Sequence, residues 1–116
     1  MRDYIAILFV FILQACVSSG SKIELSKAAL KVKASMSEAP LGYIEIGPVF
    51  GRHGGDCQRG DREEAIKDLR NNGAELGAEY IRIDSVLAPD LSRECGYQEY
   101  TIRGVAFRAQ APTLSR

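Results

Sequence analysis

Only one stretch of this sequence carries a helical repeat, and it lies between stretches whose apolar residues alternate. Within residues 61–77, Ala65, Ile66, Leu69, Gly73 and Leu76 fall on one stripe at the three-to-four-residue spacing of a helix. Asp61 opens that helix as its cap, and Glu64 stands three residues later, placed to reach back and close a capping box. Glu63 and Glu64 also suit the positive end of the helix dipole. Gly73 allows close packing on a sheet, at a cost in helix propensity, and Gly77 is a natural terminator. Either side, the period is two. Ala28 to Met36 reads as a half-buried strand with Leu30, Val32 and Ala34 inward. Leu41 to Phe50, Glu79 to Leu87 and Tyr97 to Arg108 read as three more, the last bent at Gly104, and Pro48 puts its strand at an edge or a bulge. Residues 51–60, with four glycines, and 88–96 read as loops, and 110–116 as a frayed end. The expected architecture is α+β: a mainly antiparallel four-stranded sheet with one helix packed on a face, in the order β-β-α-β-β.

Residues 1–15 stand apart from this pattern. Tyr4 to Leu13 is an uncharged apolar run of about ten residues, short of the roughly 20 that cross a bilayer. It fits the central region of a secretory signal peptide. It stops at Leu13-Gln14-Ala15-Cys16, which resembles the lipobox of bacterial lipoproteins. The resemblance implies a diacylglycerol on the Cys16 thiol, cleavage just before Cys16, and further acylation, such as palmitate, on the new amine. Two or three acyl chains give stable anchoring where one does not. Gln14 is larger than the usual residue there. Val17 follows Cys16 where an aspartate would mark retention in the inner membrane. In a Gram-negative host the implied address is therefore the periplasmic face of the outer membrane.

The expected division is a signal peptide at 1–15, a lipidated cysteine and short tether at 16–26, and a single periplasmic domain at 27–116. The formal net charge is zero, with 15 basic and 15 acidic residues. Removing Arg2 and Asp3 together leaves it unchanged. Such a balance argues against a nucleic-acid partner.

Cysteine parity agrees with export. With Cys16 carrying lipid, Cys57 and Cys95 remain, and in an oxidising compartment two thiols read as one disulfide. Other chemistry is sparse. His53, Asp56 and Cys57 lie close together, but a structural zinc site wants four ligands, and this is the chain's single histidine. A thiol just before a helix start invites redox chemistry, yet no Cys-X-X-Cys accompanies it. No serine has a triad context, and no Gly-Lys-Ser/Thr ends the glycine-rich stretch. Tyr43, Tyr80, Tyr97 and Tyr100 read as sheet residues. No catalytic residue, metal, cofactor or small-molecule substrate is assigned.

Two stretches resemble a known family. One is Leu41-Gly42 leading to Gly54-Gly55-Asp56-Cys57-Gln58. The other is Leu69 to Ile83 (LRNNGAELGAEYIRI), followed by Cys95-Gly96-Tyr97-Gln98 and a strand ending Gly104-Val105-Ala106-Phe107. Over roughly 41–108 the chain looks like the Rcs-pathway stress-sensor lipoproteins of the outer membrane, and equally like related short lipoproteins of unknown function. The resemblance implies a bond between Cys57 and Cys95. The sensors' second bridge would fall near Ser85 and Thr101, neither a cysteine, and their long proline-rich linker has no counterpart. The tether of about ten residues reaches at most about 33–36 Å. Both departures favour the short lipoproteins.

The functional expectation is a non-enzymatic envelope module, binding or sensing envelope stress through protein partners. The alternatives are a purely structural envelope component and a thiol-dependent redox protein. Arg52, His53, Asp56 and Arg59, in the glycine-rich stretch, are the candidate partner-binding residues.

Overall fold

The computed structural model describes residues 21–55, 57–89 and 98–110. The described residues form one α-helix and one four-stranded sheet. The strands are β1 (Lys33–Ser35), β2 (Tyr43–His53), β3 (Tyr80–Leu87) and β4 (Tyr100–Ala109), and the helix α1 (Arg62–Glu75) joins β2 to β3. The sheet order is β1-β3-β4-β2. The fold is α+β, but the sheet is mixed rather than mainly antiparallel: β4 runs antiparallel to both its neighbours, and β1 pairs parallel with β3. The first two strands are therefore at opposite edges.

The approach of the chain to β1 explains the parallel pairing. Residues 21–32 descend beside α1 in the helix's own direction, since Ile23 bonds Glu64 and Ser26 bonds Asn71. The chain then reverses and climbs the sheet edge. β3, also preceded by the descending α1, climbs in the same sense. Strand alternation specifies which face is buried but not which neighbour a strand takes, so this pairing was not visible in the pattern.

The reversal also shortens the first expected strand. The Ser26 hydroxyl accepts from the Ala29 amide at 3.0 Å, and Leu30 N donates to Ser26 O at 3.1 Å. They start the reversal, and Lys31 N to Ala28 O and Val32 N to Ala29 O, at 3.2 and 3.0 Å, wind Ala29–Lys31 into a 3-10 turn. Ala29 points inward, and Leu30, expected inside, is 62% exposed. Val32 and Ala34 keep their inward positions.

The helix follows its stripe closely. Ala65, Leu69 and Gly73 are buried and Ile66 packs at the margin, while Leu76 has already turned out to solvent. Gly77 ends α1 at φ +83°, and Ala78 N closes on Gly73 O at 2.9 Å. Beneath the helix lie Val49, Ile81, Ile83, Ile102 and Ala106.

Gly51, Arg52 and His53 continue β2 and are not part of a loop. The glycine serves a close approach. A Cβ on Gly51 would overlap the Ala65 carbonyl and sit 2.5 Å from Leu69 N. The helix backbone thus lies directly on that strand. Pro48 lies in the edge strand, as expected, and a bulge falls between Glu45 and Gly47. Helix side chains occupy more of that edge: Asn72 Nδ2 donates to Phe50 O at 2.7 Å and Asp68 Oδ2 accepts from Arg52 N at 2.8 Å. Interruptions of this kind suppress edge-to-edge pairing.

On the sheet face away from the helix, Tyr80 stacks edge-on to Tyr43 and tilted against Phe107. Its hydroxyl donates to Ser37 O at 2.6 Å. Arg82 lies over Phe107 and is paired with Asp84 at 2.8 Å and Glu38 at 3.2 Å. Bonding to Asp84 first, then Glu38, raises its pKa.

Candidate functional site

The end of the domain that holds the start of α1 also holds the chain's histidine and its bonded cysteine. Asp61 takes an extended conformation (φ −121°, ψ 134°) and caps the helix, its Oδ1 accepting from Glu63 N at 2.8 Å and Glu64 N at 3.4 Å. The reciprocal half of the capping box is not made by Glu64. The Asp61 amide donates instead to His53 Nδ1 at 2.9 Å.

That bond fixes the imidazole. A backbone N–H can only donate, so Nδ1 is unprotonated and the ring proton is on Nε2. Nε2 then donates to Ser21 O at 2.6 Å. The neutral ring spans two backbone segments and is 7% exposed. His53 is thus enclosed with both nitrogens engaged, and it presents no free ligand atom.

Glu64 is directed to the same arriving segment. Its Oε2 accepts from Ile23 N at 2.6 Å and its Oε1 pairs with Lys67 Nζ at 3.1 Å. The Ile23 amide, then the Lys67 ammonium, hold its carboxyl below the usual glutamate range. Further along, Asn71 Nδ2 donates to Glu24 O at 2.8 Å and Arg70 Nε to Val32 O at 2.9 Å. Residues 21–26, read from the sequence as part of a short tether, lie docked along the helix. The physical reason is a row of polar side chains on α1 that satisfies the backbone of an extended segment. A helix's outward polar face ordinarily reads as solvated, which is why the docking was missed.

The turn after β2 is compact. Gly55 and Gln58 bond each other reciprocally at 2.9 and 3.3 Å, with Cys57 between them at φ +59°. Gln98 straps the turn from outside: its amide donates to Gly55 O at 3.2 Å and its carbonyl accepts from Gly60 N at 2.8 Å. Cys57 is disulfide-bonded. The other two cysteines, Cys16 and Cys95, lie outside the described residues, as do Asp56 and Tyr97. Arg59 is exposed. Arg52 is exposed too and lies 3.8 Å from Glu99 Oε1. The candidate partner residues thus divide: Arg52 and Arg59 are on the surface, and His53 is inside.

Among the described residues, no group of three or more His, Cys, Asp or Glu could hold a metal ion, and no helix is long and apolar enough to cross a membrane. Comparison with known protein families, curated proteins and solved structures found no match to this chain.

Proposed function

We propose that this chain is a lipid-anchored envelope protein, attached through Cys16 to the periplasmic face of the outer membrane. In this reading it acts without catalysis, as a binding or stress-sensing module for a protein partner. The observation that carries the reading is the bonded state of Cys57, taken with the Leu13-Gln14-Ala15-Cys16 sequence. Structural disulfides belong to oxidising compartments, and the lipobox-like sequence names an exported address. Cys95 is the partner we assign to Cys57. Gln98, three residues beyond it, bonds the backbone on both sides of the Cys57 turn. A turn closed by backbone bonds and a disulfide suits a structural role for Cys57 more than a redox centre. Its cysteine is engaged, and its neighbouring histidine is committed to the backbone.

Intact mass of the protein extracted from the envelope of a Gram-negative host tests this directly. The expected result is a chain beginning at Cys16 with added acyl mass, in which two cysteines alkylate only after reduction. A chain beginning elsewhere without lipid would remove the anchor. Two freely alkylating cysteines would remove the disulfide and favour the redox alternative.

A further inference from the structure

If Cys16 carries the lipid, the docked segment sets how the domain meets the membrane. Ser21 is held against His53, beside the start of α1. Only five peptide links separate it from Cys16, about 17–18 Å even when fully extended. Ile23, Glu24 and Ser26 are each bonded to α1, so the tether gains no length by unravelling unless those bonds break. The opposite end of the domain is far out of reach. β2 starts beside Leu41 and ends at His53, and its 11 residues span roughly 35 Å.

We propose that the end of the domain built from the Cys57 turn and the start of α1 rests against the lipid headgroups, with the end at Leu41 and Gly77 facing away from the bilayer. The inference rests on the lipid-anchor reading above. The occupant of this surface is the membrane itself. Lys22, Arg59 and Arg62 stand exposed around it, as do Asp61 and Glu63, so the short reach from Ser21 to Cys16 rather than charge sets the orientation. A protein partner then reaches the distal end and the sides of the sheet more readily than the Cys57 turn. Leu41, fully exposed at the distal end, is on the accessible side.

The chain has no tryptophan, so single-tryptophan variants report position cleanly. Gln58→Trp marks the proximal turn and Leu41→Trp the distal end; both side chains are exposed. Each full-length variant is matured in a Gram-negative host. It is then purified and reconstituted into phosphatidylethanolamine/phosphatidylglycerol vesicles containing a headgroup-labelled nitroxide lipid. Gln58→Trp is expected to lose most of its emission to the quencher, and Leu41→Trp to keep most of it. Unchanged unfolding midpoints show that both variants are folded. Equal quenching, or stronger quenching at Leu41→Trp, on protein of confirmed acyl mass overturns the orientation alone. Protein without acyl mass overturns the anchor and the orientation together.

Discussion

His53 completes the cap of the helix that begins at Asp61: its Nδ1 accepts the Asp61 amide at 2.9 Å, while its Nε2 donates to Ser21 O at 2.6 Å. One buried ring therefore joins β2, the start of α1 and the arriving chain. Replacing it with alanine leaves an amide and a carbonyl without their partner. Each such group costs about 1–3 kcal/mol when it stays dry. His53→Ala is expected to lower stability in urea unfolding by about that amount and to speed hydrogen exchange at Asp61. An unchanged midpoint with unchanged exchange would show that the bridge contributes nothing.

The contact between Gly51 and α1 admits no side chain. The atoms a Cβ would meet include the Ala65 carbonyl and Leu69 N, which are backbone and cannot swing aside. Gly51→Ala should cost about 1–3 kcal/mol, the usual range for overpacking, read as a fall in the denaturation midpoint. Gly55→Ala, with open space around its Cβ position, is the control and should cost less. A Gly51→Ala protein as stable as the parent would mean that helix and strand separate easily.

Leu69 and Leu76 both belong to the stripe read from the sequence, yet the first is fully buried and the second is 52% exposed. Leu69→Ala should destabilise by about 2–5 kcal/mol, and Leu76→Ala by much less. Chemical denaturation of the pair checks this, and similar losses would place Leu76 in the core.

These cases show what was legible in the sequence. Local signals carried through: the Asp61 cap, the helical stripe as far as Gly73 and the stop at Gly77 all arise within a few residues of one another. The strands at Tyr43, Tyr80 and Tyr100 were also visible as alternation. Pairing was not. The parallel placement of β1 depends on Ile23 and Ser26 meeting Glu64 and Asn71, more than forty positions away. Gly51 looked like a turn residue because its reason, the helix backbone above it, is equally remote. The Glu64 carboxylate was read as part of its own cap because the short-range partner was the only one the sequence offered.

Glu64 gives the docked segment a pH dependence. Its folded-state pKa lies below the ordinary value, chiefly because the carboxylate accepts from the Ile23 amide. A lowered pKa means that the contact stabilises the fold above the ordinary glutamate range and is lost as pH falls through the folded value. Protection of the Ile23 amide in hydrogen exchange, corrected for intrinsic rate, should therefore drop on acidification. Glu64→Gln should flatten that dependence. A parent and variant with the same pH profile would assign the effect to another group.

The Cys57 bond should matter for stability as well as for shape. Cys57 sits at positive φ between Gly55 and Gln58, a conformation unusual for a residue with a side chain. With Cys95 as its partner, the bridge closes a loop of 38 residues, for which the chain-entropy account gives about 3–4 kcal/mol. The double variant Cys57→Ser/Cys95→Ser, made in the exported chain so that Cys16 is still processed, should lose about that much unfolding free energy in urea denaturation. The Gly55–Gln58 turn should open first, because the bridge leaves from the turn itself, which is otherwise tied by backbone bonds to Gln98 and between Gly55 and Gln58. Peptide-level hydrogen exchange over residues 54–60 reads this out. A double variant as stable as the parent, with equal exchange in the turn, would mean that the backbone bonds alone hold this end of the domain, and that the disulfide guards the thiols rather than the fold.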